Sequence, residues 1–134
     1  VDADALDEAE ELLSAVGDVV RLDEEAQIDA VTGVSGSGPA YVFHMIETMA
    51  AGGVAQGLSP ELALQLATAT VAGAGALAKS ADEDPTQLRK NVTSPNGTTQ
   101  AALDVLMNED DGFPVLLKRA VAAAADRSRE LSRD

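Results

Sequence analysis

The sequence contains no cysteine and no tryptophan, and its only aromatic residues are Tyr41, Phe43 and Phe113. Without cysteine there is no disulfide framework, no thiolate nucleophile and no cysteine-held metal. That fits a reducing, cytoplasmic setting. With so few rings, any core is expected to be built from Ala, Val and Leu. Histidine occurs once, at His44, which excludes a multi-histidine metal site. The acidic clusters at 82–84 and 109–111 lack the spacing of a calcium loop and read as solvated charge, so no metal is expected. No apolar run approaches the roughly 18 residues needed to span a bilayer. The acidic opening residues do not resemble a signal peptide.

Positive charge is scarce: 9 Lys and Arg stand against 23 Asp and Glu, a formal charge of -14. Such a surface repels nucleic acid and anionic membranes, so neither is expected as a partner. An acidic, Ala-rich chain also suits a halophilic protein, kept soluble in high salt by its carboxylates. The 134 residues suffice for one domain with a piece of another.

Helical periodicity dominates. Leu6, Ala9, Leu12, Leu13 and Val16 recur at steps of three and four, which predicts a helix over residues 2–16 ended by Gly17. Residues 18–22, β-branched and short, read as a strand. A lone helix and strand cannot make a sheet, so residues 1–25 read as the last αβ unit of an α/β domain plus linker. A chain that begins with Val rather than Met fits a fragment or a trimmed protein. From residue 26 to 134 only helices are expected: 27–32, 39–56, 62–79, 86–91, 100–107 and 113–131. Ser59 is placed to cap a helix with Pro60 in its first turn, and Asp84-Pro85 opens another. The helix over 62–79 is apolar nearly all round and therefore expected to be buried on every side. Gly73 and Gly75 inside it point to close helix–helix approach. A chain this small does not supply that many neighbours, so packing against a second copy is expected.

Chemistry has few places to sit. Ser35, Ser37 and Ser94 have no triad partners at a meaningful spacing. Gly36-Ser37-Gly38-Pro39-Ala40-Tyr41 begins like a dinucleotide fingerprint but has Tyr41 where the third glycine belongs. Two small-residue stretches remain, 33–38 and 93–99. Both are read as loops feeding helix N-termini, where backbone N–H groups favour a carboxylate or phosphate. Either could equally be an ordinary capped turn.

The segment Asp29-Ala30-Val31-Thr32-Gly33-Val34-Ser35-Gly36-Ser37-Gly38-Pro39-Ala40-Tyr41-Val42-Phe43 resembles the opening of the helical domain of pyrroline-5-carboxylate reductases. Thr93-Ser94-Pro95-Asn96-Gly97-Thr98-Thr99 resembles that family's other signature, and the likeness covers essentially the whole chain. It implies an all-α, intertwined dimerisation domain, preceded by the last helix and strand of a Rossmann domain. It also implies NADPH- or NADH-dependent reduction of 1-pyrroline-5-carboxylate to L-proline, in a cytoplasmic homodimer or decamer. The cofactor, NADP or NAD, would be held by the Rossmann domain, so the fragment alone would be inactive. Carried over residue by residue, the substrate's carboxylate would meet Ser94, Gly97, Thr98 and Thr99, with Ser35 and Ser37 nearby. His44, where some relatives carry Thr, is the candidate proton donor. Hydride transfer to an imine needs a fixed carboxylate more than a nucleophile. Asn96 stands where the family has the first of two glycines, and asparagine tolerates a positive φ. One alternative is an all-α homodimerisation module with no chemistry of its own. Another is a β-hydroxyacid or 6-phosphogluconate type of dehydrogenase. That would need a catalytic lysine, and none of Lys79, Lys90 and Lys118 lies in a matching motif.

Overall fold

A computed structural model describes residues 2–133. Among them there are seven α-helices and no strand: α1 (Ala3–Ser14), α2 (Ile28–Val31), α3 (Gly38–Ala55), α4 (Pro60–Ser80), α5 (Pro85–Asn91), α6 (Thr98–Leu106) and α7 (Phe113–Leu131). A 3-10 turn (Glu25–Gln27) leads into α2, and a π turn (Thr32–Gly36) joins α2 to α3.

Helix ends follow local chemistry. The Ser59 hydroxyl accepts from the Leu62 N–H at 3.2 Å and the Asp84 carboxylate from the Gln87 N–H at 2.8 Å. Each thereby satisfies a donor of a helix's first turn. α3 stops at Gly57, whose φ of 98° lies in the left-handed region. There the Gly57 N–H bonds to the Val54 carbonyl at 3.0 Å and the Leu58 N–H to the Gly53 carbonyl at 3.1 Å. This pair of bonds is the Schellman motif, and it turns the chain sharply into α4. α3 and α4 form a close hairpin: a Cβ on Gly53 would sit 3.3 Å from that of Ala63.

α7 lies on α2 and the π turn. Ala125 is buried, while Val121, Ala124 and Ser128 beside it are half-buried. Gly33 makes the approach possible, since a Cβ there would come within 2.8 Å of the Val121 carbonyl oxygen.

Three sequence expectations change. Residues 18–22 are neither helix nor strand; a strand needs a neighbour to share its hydrogen bonds, and the described residues offer none. Instead, ion pairs hold this stretch. Arg21 reaches Asp7 at 2.6 Å and Glu10 at 2.5 Å, and Lys79 of α4 reaches Asp18 at 2.6 Å. The core expected from Ala, Val and Leu is, within one chain, alanine alone: Ala63, Ala67 and Ala125. Within one chain α4 is covered only along its α3 face, and Leu62, Leu64, Leu66 and Leu77 stay exposed, so the expected burial on its other sides still calls for a second copy. Finally, α4 is by length and composition apolar enough to cross a membrane. Its Gln and Thr residues interrupt the apolar run without adding charge, which is why counting uninterrupted apolar residues missed it.

The exposed surface is large. The chain shows 10382 Å² of accessible surface, against roughly 6,600 Å² for a compact monomer of its mass. The excess is about 3,800 Å², and large apolar side chains stand exposed on α3, α4, α6 and α7 as well as on α1 and α2.

Candidate functional site

The two signature stretches fold differently. Residues 33–38 are not a loop. α2, the π turn and α3 form one nearly continuous helical path, so N–H groups there are spent on carbonyls behind them. The Ser37 N–H bonds to the Thr32 carbonyl at 2.8 Å, and the Ala40 N–H to the Ser37 carbonyl at 3.1 Å. These bonds leave fewer free N–H groups on this stretch than the expected loop would. Ser35 is exposed and its hydroxyl donates to the Val31 carbonyl at 3.1 Å. Ser37 is half-buried at the junction with α3.

Residues 93–99 do form an open turn. Val92 and Thr93 leave α5, with the Thr93 hydroxyl donating to the Arg89 carbonyl at 2.6 Å. Pro95 and Asn96 make the bend. Asn96 has φ 58°, the only non-glycine among the described residues with positive φ. The substitution of asparagine for glycine thus keeps the left-handed step. The Gly97 N–H then closes on the Ser94 carbonyl at 3.0 Å. Gly97 itself is the N-cap of α6, extended at φ -87° and ψ 177°, and no side chain caps the helix. Thr98 and Thr99 are the first two residues of α6 rather than loop.

The result is a cluster of unused donors. The first-turn N–H groups of α6 have no side-chain acceptor. Among the described residues, the hydroxyls of Ser94, Thr98 and Thr99 make no intrachain hydrogen bond. A helix N-terminus with free N–H groups and surrounding hydroxyls fits a carboxylate. Gly97 keeps the turn tight: a Cβ on it would collide with the Ser94 side chain.

His44 stands apart. Its side chain is 75% exposed, and Nδ1 lies 3.0 Å from a Glu47 carboxylate oxygen. Tyr41, one turn earlier, is half-buried and donates its hydroxyl to the Gly33 carbonyl at 3.0 Å. The 93–99 turn takes no part in the main helix contacts, which join α3 to α4 and α2, the π turn and α7 to one another. Within one chain, α6 with Thr98 and Thr99 is not among the helices packed on α2, the π turn or α3, which carry Ser35, Ser37 and His44.

Sequence reasoning missed the role of Tyr41. In the sequence that residue reads as the break in a dinucleotide fingerprint and as part of the signature segment 29–43, not as a donor to the Gly33 carbonyl. Its being the sole tyrosine of an aromatic-poor chain was the available signal. Nor does any sequence pattern point to the groove between α5 and α6. Arg89, Lys90, Thr93, Gln100 and Asp104 line that groove, and Arg89 Nη1 lies 3.0 Å from the Met107 sulfur.

Helices whose apolar faces are left open, and a donor-rich turn outside the main helix contacts, define an all-α interaction domain. The chain belongs to the pyrroline-5-carboxylate reductase dimerisation family, whose model matches residues 25–131. It is 48% identical over 132 residues to a pyrroline-5-carboxylate reductase of Pseudomonas aeruginosa, covering 98% of this chain and 48% of that protein. A pyrroline-5-carboxylate reductase of Arabidopsis thaliana is 52% identical over 121 residues, with 90% and 43% covered. Among solved structures, a pyrroline-5-carboxylate reductase from Coxiella burnetii superposes with a TM-score of 0.90 at 39% identity. That match covers 98% of this chain and 48% of the other. One from Plasmodium falciparum with NADP bound gives 0.82 at 32% identity, covering 97% and 48%. The chain spans about half the length of the curated relatives it matches.

Proposed function

We propose that this chain is the dimerisation and substrate-holding part of an enzyme that reduces 1-pyrroline-5-carboxylate to L-proline in the cytoplasm. The observation that carries the substrate half is the uncapped N-terminus of α6, with the free hydroxyls of Ser94, Thr98 and Thr99 around it. The substrate's carboxylate sits there, held by backbone N–H groups and hydroxyls and oriented by the helix dipole. Fixing one end of a small cyclic imine sets the approach to its C=N carbon, which is where orientation accelerates the reaction.

The nucleotide does not fit the described residues. They contain no strand, and Gly36-Ser37-Gly38 runs through a π turn and into α3 instead of following a strand. The cofactor of this reading, NADP or NAD, belongs to residues outside the chain, and the chain supplies only substrate contacts. The relative with NADP bound supports NADP as the cofactor in this reading.

A second copy covers the open faces. The excess surface of about 3,800 Å² exceeds what an ordinary interface hides per partner, roughly 800 Å², and suits interlocked helices. A Cβ placed on Gly73 or Gly75 would meet nothing within 4 Å in one chain, leaving α4 open to close approach by another helix. In this reading Ser35, Ser37 and the exposed His44 meet the α6 turn of the partner, and His44 is then available to hand a proton to the ring nitrogen. The donor-rich turn is read out directly by hydrogen exchange: proline should slow exchange at residues 93–99. No protection at high proline concentration would favour a purely assembling module. Sedimentation in molar salt should give a dimer or larger; a monomer would refute the covering of α4 by a second copy.

A further inference from the structure

The π turn carries a hydrogen bond that the substrate reading does not use. In an α-helical register the Ser37 N–H would bond to the Gly33 carbonyl. It bonds to Thr32 instead, at 2.8 Å, one residue further back, as the π pattern requires. The Gly33 carbonyl thereby loses its α-register donor. Gly33 is buried against α7, where an unpaired carbonyl is costly. Tyr41 provides a donor: its hydroxyl reaches back eight residues to that carbonyl at 3.0 Å, in a partly buried setting. Helical side chains lean toward the helix N-terminus, so a long residue on the first turn of α3 is aimed at the π turn. A phenylalanine would fill the same space and leave the carbonyl unpaired.

We propose that Tyr41 is a positioning residue that locks residues 32–36 in the π register and so fixes the direction in which Ser35 and Ser37 face. A π turn holds one residue more than an α turn, and reversion would rotate one flank against the other by about 100°. Gly33 is held on α7, so the rotation would fall on Ser35 and Ser37. That these serines meet a substrate rests on the function proposed above; the lock itself does not.

Tyr41→Phe tests the lock in the full chain. Amide exchange at residues 33–38 should accelerate about five- to tenfold, the effect of losing one ordinary hydrogen bond, with α4 and α7 exchanging as before. Equal rates at 33–38 in both proteins would overturn the lock. A uniform acceleration through α4 and α7 would also overturn it, because Tyr41 would then be a general packing residue. Proline affinity, measured on the same samples, should fall several-fold in Tyr41→Phe while exchange in α6 stays unchanged. A loosened turn with unchanged affinity, alongside a loss in Ser35→Ala, would overturn the positioning role. Failure of the unsubstituted chain to bind proline defeats the substrate reading alone, and the exchange rates still decide the lock.

Discussion

Residues 32–38 and residues 93–99 are both short, rich in Gly, Ser and Thr, and followed by a helix, yet they treat their hydrogen bonds in opposite ways. The first is entered from a helix, α2, and its N–H groups find carbonyls behind them, as Ser37 does at Thr32. The second is entered through a bend at Asn96, with φ 58°, and begins α6 from an extended Gly97. Its first-turn donors have no chain behind them to bond with. A helix start exposes its donors only when the preceding backbone is non-helical. Composition does not distinguish the two cases; the path of the chain does.

The sharpest way to break this contrast is Gly33→Ala. The new methyl would lie 2.8 Å from the Val121 carbonyl oxygen, and overpacking of this kind costs about 1–3 kcal/mol. Urea denaturation should show the loss, while Gly36→Ala, facing only a Thr32 methyl at 3.4 Å, should cost far less. If both behave alike, the π turn is not seated on α7 as described.

Next in size is the joint removal of the hydroxyls of Ser94, Thr98 and Thr99 by alanine. They make no intrachain bond, so denaturation should shift by no more than about 0.5 kcal/mol, as for other surface changes. Proline affinity should nevertheless fall about a hundredfold, at about 1 kcal/mol for each of the hydrogen bonds lost. A large stability loss with intact binding would mean that these hydroxyls serve the fold.

Asn96→Ala should cost about 1 kcal/mol, because alanine resists the left-handed region that asparagine tolerates, whereas Asn96→Gly should be nearly neutral. Thermal melts of the pair check this. Equal melting temperatures would show that the bend is not held in that conformation.

The smallest effect tests a region remote from both turns. The Lys79 ammonium, hydrogen-bonded to Asp18 and attracting it, holds that carboxyl below its ordinary 3.8. A depressed folded-state pKa contributes stability above the unfolded value, and that contribution is lost as pH falls through the folded one. Both side chains are largely exposed, so the gain is small. Carboxyl shifts followed by NMR should show Asp18 returning to its ordinary range in Lys79→Ala, with neither signature turn affected.

What was legible in the sequence was local. Ser59, Pro60, Asp84, Pro85 and Gly57 mark helix ends because caps and left-handed residues act within a few positions. α7 appears over the same residues the sequence predicts. The positive φ of Asn96 is likewise a property of its own side chain. The rest depended on distant contacts. Gly33 to Gly38 reads as a loop until Val121 and Ala125 are known to lie against Gly33. Residues 18–22 read as a strand until it is clear that none of the described residues pairs with them. The core could not be located because the leucines of α4 are not covered within this chain.

That last feature changes what stability means for this molecule. With only Ala63, Ala67 and Ala125 buried as apolar side chains among the described residues, much of the burial that opposes chain entropy comes, on the proposed reading, from association. Folding is then partly bimolecular, and the melting temperature depends on how much protein is present. Dilution should act as a denaturant: at low enough concentration the helices lose the surface they pack against, with no change of temperature, pH or salt.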